Sequence, residues 1–185
     1  AMQVTVAVLF QSAFQKWIAG HANTTDISYD LLSTGRDVDG HAEAESINGT
    51  CANFIPFRME TSNYGSVKEY VQMTQSLFWK ATEASYVGLD QIYSYLEVSR
   101  QKMGSHALYL FQPFLPSLQK PSAQSWIMMA GSEVSLTQPY GIVFETSLTL
   151  KGYRFKLYFD SRVFSPSDAQ KELDKIRQYT IELLN

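Results

Sequence analysis

The chain has 185 residues, of which 45% are hydrophobic and 14% aromatic, so it can build a sizeable core and is not expected to be disordered. Its formal net charge of −3, without any block of like charges, argues against a dedicated nucleic-acid surface. The single cysteine, Cys51, excludes an internal disulfide, and no Cys/His cluster has the spacing of a metal site.

The first elements are a helix and two strands. Apolar residues recur at helical spacing from Val4 to Ala19, and Gly20 is expected to end this helix. From Asp26 to Leu32 apolar and polar residues alternate, which predicts a half-buried strand. A second strand is expected from Asn53 to Met59, and its internal proline predicts an edge strand or a bulged one.

Two helices and two strands are predicted next. Ser66 and Glu69 form a capping box ahead of a helix that runs to about residue 83. A short helix is expected from Leu89 to Leu96. Strands are expected from His106 to Gln112 and from Ser125 to Met129. The loop between these strands is marked by three prolines, Pro113, Pro116 and Pro121.

The clearest elements close the chain. The stretches 142–150 and 153–160 alternate in register and predict a hairpin with Lys151-Gly152 as its two-residue turn. The last helix has Ser165 as its N-cap, Pro166 at its first position and Asp168 in its first turn. No internal repeat or break in composition divides the chain, so residues 1–185 are interpreted as a single domain in which helices flank several strands.

No constellation of residues in the sequence meets the requirements of catalysis. His21, His41 and His106 could each act as a general base by residue type, but none has a nucleophile and a carboxylate at recognisable spacing. We interpret His21 as a partner of a helix C-terminus, His41 as a solvated loop residue and His106 as a packed or edge residue. Cys51 is interpreted as a small buried apolar residue.

Five stretches, taken in order, carry more information than any single motif. They are "FQKWIAGH" with "TDISYDLLSTGRDVDG", "NGTCANFIPFRM", "YVGLDQIYSYLEVSR", "HALYLFQPF" and "VFETSLTLKGYRFKLYFDSRVFSPSDAQKELDKIRQYTIELL". Their order, and a core of the form GRD…G…N-x-x-P-x-R, resemble the C-terminal lobe of the condensation domains of nonribosomal peptide synthetases, particularly the fungal kind. The resemblance spans essentially the whole chain.

That resemblance implies a fold and a set of partners. The family is a V-shaped, two-lobed acyltransferase whose lobes are each similar to a chloramphenicol acetyltransferase subunit. The expected fold class is therefore α/β in an α+β two-layer arrangement, with a mixed β-sheet flanked by helices. The implied partners are the N-terminal lobe of the same domain and peptidyl or acyl carrier proteins. These carriers would deliver substrates on phosphopantetheine arms into a tunnel between the lobes, and no directly bound cofactor, nucleic acid or membrane is expected.

The resemblance also implies that these 185 residues hold no catalytic residue. The catalytic motif of the family, His-His-x-x-x-Asp-Gly, belongs to the N-terminal lobe, and no two histidines of this chain are adjacent. The chain is accordingly expected to be half of an enzyme, with the N-terminal lobe absent. The single cysteine and the lack of a signal peptide predict a cytoplasmic enzyme.

Two residues are implied to position substrates or the catalytic loop. Asn53 matches the family's strand asparagine near the catalytic centre, so it either faces the tunnel or serves as a structural amide. Arg36 is implied to pair across the lobe interface with the aspartate of the catalytic motif. It could instead be a solvated loop arginine or pair with Asp30, Asp37 or Asp39.

The subtype and two other functions stay open. The family often has Asn-Thr where this chain has Asn53-Phe54, which leaves amide formation, ester formation and cyclising release as alternatives. A non-catalytic interaction module of the same fold, or a lobe of a coenzyme A-dependent acyltransferase, would also fit. The sequence does not identify the acyl donor, the nucleophile or the product.

Overall fold

A five-stranded mixed sheet and four helices make up the described part of the chain. The computed structural model describes residues 2–36, 46, 48–49, 51–97, 99, 106–113 and 139–185. The helices are α1 (Val6–Ala22), α2 (Val67–Glu83), α3 (Leu89–Tyr95) and α4 (Pro166–Leu184). The strands are β1 (Asp26–Ser33), β2 (Asn53–Glu60), β3 (Ala107–Gln112), β4 (Ile142–Thr149) and β5 (Gly152–Phe159).

The strands lie in the order β2-β1-β3-β4-β5. β1 pairs antiparallel with β2 and parallel with β3, while β3 pairs parallel with β4 and the β4–β5 hairpin is antiparallel. Helix α1 lies over the sheet between α2 and α4, and it contacts both of these helices as well as β1, β3 and β4. This arrangement confirms the expected α+β class with a mixed sheet flanked by helices. Within the described ranges, no helix is long and apolar enough to cross a membrane.

The middle of α1 is buried on every side. All eight residues from Val8 to Gln15 are buried, three of them polar. The Phe14 ring lies at the centre of the core, with its centroid 5.2 Å from that of Phe144 and 5.6 Å from that of Tyr29. At the far side Trp17 Nε1 donates to Glu172 Oε2 of α4 at 2.8 Å. A helix enclosed in this way organises the whole inner layer of the domain.

The expected end of α1 at Gly20 is wrong. The helix continues to residue 22 and ends at Asn23, whose φ of 51° is left-handed and whose N–H donates to the carbonyl of Ala19. Gly20 instead lies on the face toward α4, where a Cβ atom would lie 3.4 Å from the Tyr179 hydroxyl. That distance is an ordinary van der Waals contact, so packing against α4 does not require a glycine at this position.

A hydrogen-bond network made of side chains runs through the core around Gln15. Gln15 Nε2 donates to Tyr29 Oη at 2.7 Å, and its Oε1 accepts from Tyr70 Oη at 2.9 Å and Thr74 Oγ1 at 3.1 Å. Gln11 Nε2 donates to the same Tyr29 oxygen at 2.8 Å. Burial raises the pKa of both tyrosine hydroxyls, so they stay protonated across the physiological range. The network joins α1, α2 and β1.

Helix starts and the edge strand follow the sequence prediction. Ser66 Oγ accepts from Glu69 N at 3.2 Å, which is the first half of the predicted capping box. Glu69 Oε2 accepts at 2.8 Å from Gly65 N, one residue before the N-cap, so the second half of the box differs from the prediction. Ser165 Oγ accepts from Asp168 N at 3.2 Å at the start of α4. β2 lies at the sheet edge, and its register passes through the proline opposite Asp30 without a bulge.

The hairpin turn is shifted by one residue from its predicted place. Leu150 and Lys151 form the turn, while Gly152, with φ of 129°, already pairs with Thr149 as the first residue of β5. Thr149 Oγ1 accepts from Lys151 N at 3.3 Å and donates to Gly152 O at 3.0 Å, which closes the turn ahead of the glycine. The predicted strand from Ser125 to Met129, with Pro116 and Pro121, lies outside the described residues.

The Gln15 network predicts an asymmetry between two glutamines on one helix. Gln15→Leu should lower the free energy of unfolding by about 1–3 kcal/mol, because it removes three buried hydrogen bonds at once and leaves the Tyr70 hydroxyl only the Ser12 carbonyl at 3.4 Å. Gln11→Leu is the matched control, since within the described residues the Gln11 side chain makes one hydrogen bond and its Oε1 has no partner. Gln11→Leu should lower the free energy of unfolding by no more than about 1 kcal/mol. Urea denaturation measures the free energy of unfolding of both variants. Equal losses would contradict the role of Gln15 as the side chain that joins the network.

Candidate functional site at the carboxyl edge of the sheet

The sheet brings the two candidate residues to one edge. β1 and β3 are parallel, so their carboxyl ends lie together, and antiparallel β2 begins at the same edge. Ser33, the last residue of β1, pairs with Asn53, the first residue of β2. Arg36 lies three residues after Ser33 in the sequence. Ligands of open α/β sheets commonly bind at the carboxyl ends of parallel strands. This edge is therefore the candidate site.

Asn53 fastens a loop to the sheet. Its Nδ2 donates to the carbonyl oxygens of Ser85 at 2.7 Å and Val87 at 3.0 Å, directly after α2 ends. Its Oδ1 accepts from Phe54 N at 2.9 Å. Because both amide hydrogens are used, the side chain has the contacts of a structural amide, one of the two interpretations of this residue. A role facing a tunnel stays a prediction.

Arg36 is held by a tight approach of the backbone. Gly35 has φ of 64°, and a Cβ atom there would lie 1.8 Å from the carbonyl oxygen of Cys51, so only glycine fits. Arg36 Nη2 donates to the carbonyl of Gly49 at 2.8 Å. The pairing of Arg36 across a lobe interface stays a prediction, and Asp37, one of its alternative partners, lies outside the described residues, as does Asp39.

Asp30, the remaining local acid, is buried and bonded to a tyrosine. Only 1% of its surface is exposed, and its Oδ2 accepts from Tyr140 Oη at 2.7 Å. The alternating pattern of β1 predicts Asp30 on the polar, solvent-facing side of a half-buried strand, and this prediction is wrong. A second apolar cluster covers that face of the sheet, formed by Leu108, Tyr140 and Val143. Sequence reasoning did not single out Tyr140, although its position between a proline and a glycine just ahead of a strand was a usable signal.

The other candidates that the structure describes lie on different elements. His21 is in the last turn of α1, where its ring stacks 5.2 Å from Trp17. His106 is exposed just before β3, and its carbonyl accepts from Ile142 N at 3.1 Å. Cys51 is half-buried, and His41 lies outside the described residues. Among the residues that the structure places, no group of three or more His, Cys, Asp or Glu could hold a metal ion.

A cavity of about 140 Å³ opens at the same edge. Buried side chains of Leu31, Ile55 and Tyr109 line it together with Phe78 of α2. Exposed residues that also line it, among them Pro113, place its opening at the sheet edge. The edge thus combines an apolar recess, a loop anchored by Asn53 and an arginine that is bonded to a backbone carbonyl.

Comparisons with known proteins match the chain to part of a much longer fungal protein. No family model matches the sequence. The chain is 39% identical over 183 residues to nonribosomal peptide synthetase sidE of Aspergillus fumigatus, a match that covers 97% of this chain and 9% of that protein. The chain therefore spans less than a tenth of the length of this curated relative.

Solved structures of condensation domains have the same fold. The condensation domain from the monacolin K polyketide synthase MokA superimposes with a TM-score of 0.76 at 17% identity, covering all of this chain and 42% of that one. The first condensation domain of the calcium-dependent antibiotic synthetase, in complex with a substrate analogue, gives a TM-score of 0.74 at 14% identity. That match covers 99% of this chain and 39% of the other.

The contacts of Asn53 generate a prediction that separates its two interpretations. Asn53→Ala should lower the free energy of unfolding by about 1–3 kcal/mol, because the carbonyls of Ser85 and Val87 lose their donors. Asn53→Asp keeps the acceptor but sets a carboxylate against both carbonyls, so it should destabilise at least as much at neutral pH. Protonation of that carboxyl at low pH should recover part of the loss. Unchanged stability together with reduced turnover of the intact enzyme would favour the tunnel-facing interpretation.

Proposed function

The chain belongs to the condensation-domain family of nonribosomal peptide synthetases, and from this premise we propose that it is the C-terminal lobe of a domain that joins a carrier-bound acyl thioester to an amine or hydroxyl nucleophile. The observation that carries the proposal is the 39% identity to a fungal synthetase over 97% of the chain. The expected outcome of the reaction is an amide, an ester or a cyclised product in the biosynthesis of a peptide or hybrid polyketide.

The reaction divides its work between two halves of the domain. The nucleophile attacks the carbonyl carbon of the thioester, a C–N or C–O bond forms, the C–S bond breaks, and the carrier thiol leaves with a proton. A histidine of the His-His-x-x-x-Asp-Gly lobe takes the proton of the nucleophile, and oriented dipoles stabilise the developing oxyanion. The lobe described here contributes a wall and positioning groups at the carboxyl edge of its sheet.

The lengths of the matches support a partner lobe in the same protein. The chain covers 42% of the condensation domain from MokA, so more than half of such a domain lies outside these residues. We assign the paired-histidine motif to that remainder, since this sequence contains no adjacent histidines. The further partners we propose are peptidyl or acyl carrier proteins, which hold the substrates on phosphopantetheine, and the proposed compartment is the cytoplasm.

Two other functions predict different results. A non-catalytic interaction module would form no product in the intact protein. A coenzyme A-dependent acyltransferase would use a soluble acyl thioester as readily as a carrier-bound one.

Product formation tests the division of labour. The isolated 185-residue lobe should give no product above background from carrier-bound acyl substrates, because it lacks the paired histidines. The intact synthetase should form product from the same carriers. Turnover by the isolated lobe would contradict the division. Preference of the intact protein for coenzyme A esters would favour the acyltransferase alternative.

Arg36 tests the proposed contact between lobes. In the intact synthetase, Arg36→Ala should lose activity and melt earlier together, since removal of one partner of a buried ion pair costs roughly 3–5 kcal/mol. Arginine suits this position because its planar fork binds a carboxylate through two donors.

Arg58→Ala is the matched control for Arg36→Ala. Arg58 is an exposed arginine of the same lobe that pairs locally with Asp26 at 2.6 Å. Arg58→Ala should leave turnover unchanged and shift the melting temperature only slightly. Unchanged turnover and melting temperature in Arg36→Ala would show that Arg36 is a surface residue.

A further inference from the structure

We propose that the cavity at the carboxyl edge of the sheet receives the apolar side chain of a carrier-bound aminoacyl or acyl group, and so selects among substrates. The inference rests on the proposed function, because it assigns a substrate class to the same edge. Its basis is the size, lining and fixation of the cavity.

The volume limits the occupant to one side chain. Pockets that bind a whole small molecule measure roughly 300–1,000 Å³, which is at least twice the 140 Å³ found here. An apolar cavity of about 150 Å³ in another protein stays dry and binds benzene. The recess therefore fits a group the size of a leucine or phenylalanine side chain, and it is too small for a whole substrate with its carrier arm.

The lining favours an apolar group. The inner walls are aliphatic or aromatic, with Leu31 and Ile55 from the sheet and Phe78 from α2. The hydroxyl of Tyr109 is already used, because it donates to the carbonyl of Ala7 at 2.7 Å. The tyrosine therefore presents its ring, and its hydroxyl does not need a polar ligand.

Asn53 anchors the loop next to one wall of the cavity. Phe78 and Thr82 line the recess from the last two turns of α2. The loop that follows α2 is bound to the start of β2 by the two hydrogen bonds of the Asn53 amide to Ser85 and Val87. Asn53 is thus a positioning residue for the wall that sets the size of the recess. Through the position of this wall, the Asn53 amide influences which side chains the recess accepts.

Direct binding tests the cavity without any catalytic readout. Fluorobenzene is titrated into the intact synthetase, and line broadening of its ¹⁹F signal reports binding. The wild-type protein should broaden the signal, and Ala7→Leu, which adds a side chain at the wall, should abolish the effect. Ala52→Leu adds the same volume at an exposed residue next to Asn53 and should bind like the wild type.

Folding of the variants is checked by melting temperature. If Ala7→Leu does not fold, Thr82→Leu fills the recess from α2 instead. Phe78→Ala enlarges the recess, with Met73→Ala, an exposed residue of the same helix, as its control. Equal broadening by the wild type and the folded filling variant, or none by the wild type, would overturn the assignment of the cavity.

Substrate preference tests the proposal itself. Alanyl, leucyl and phenylalanyl groups are loaded first on the donor carrier and then, in a separate arm, on the acceptor carrier. In one arm the wild type should prefer the larger apolar groups over alanyl about ten- to a hundredfold in kcat/KM. Ala7→Leu should reverse most of that preference, while Ala52→Leu should keep it. The arm that responds identifies which substrate enters the cavity.

The outcomes separate the two proposals. Product formation with a preference that neither Ala7→Leu nor Phe78→Ala changes would overturn the inference and leave the proposed function intact. No product from any wild-type substrate would contradict the proposed function and, with it, the substrate assignment. Fluorobenzene binding in that case would identify the recess only as a site for apolar groups.

Discussion

The enclosure of α1 between the sheet and two other helices is the constraint on which the rest of the domain depends. Eight consecutive residues of this helix are buried, so any hydrogen bonds of their polar side chains must come from inside the protein, and Gln11 Oε1 and Ser12 Oγ make none among the described residues. Gln15 meets this requirement by bonding residues of β1 and α2, and Trp17 does so by bonding Glu172 of α4. A polar side chain that joins three elements specifies their relative placement, which apolar contacts alone do not.

That packing leaves open the carboxyl edge of β1 and β3, where we propose that substrate contacts form. The inner face of the sheet is covered by helices, and a second apolar cluster around Tyr140 covers part of the outer face. At the edge, Gly35 lets two backbone segments approach closely, and Asn53 ties the loop after α2 to β2. These contacts at the edge thus also hold the walls of a recess of about 140 Å³ beside residues 33–36.

The sequence predicted those features that depend on neighbouring residues. The caps at Ser66 and Ser165 follow from side chains that reach a backbone N–H three residues away, and the edge position of β2 follows from a proline that lacks a ladder donor. An error fell where a distant element decided, since Asp30 is covered by Tyr140, which lies 110 residues further along the chain. The helix α1 runs past Gly20 because a left-handed Asn23 ends it instead.

Periodicity and capping are local properties of a chain, so the sequence by itself predicted all the described helices and strands in their order. The order of five stretches, through its resemblance to a known family, indicated the fold class and the family. It also brought Arg36 and Asn53 forward as candidates, through a resemblance to that family. Only the tertiary structure decided what these residues touch. The register of β1 against β2 sets Asn53 opposite Ser33, and the packing of α2 over β2 brings the carbonyls of Ser85 and Val87 to its amide. Contacts between residues more than thirty positions apart depend on how layers pack, and no local pattern in the sequence encodes that packing.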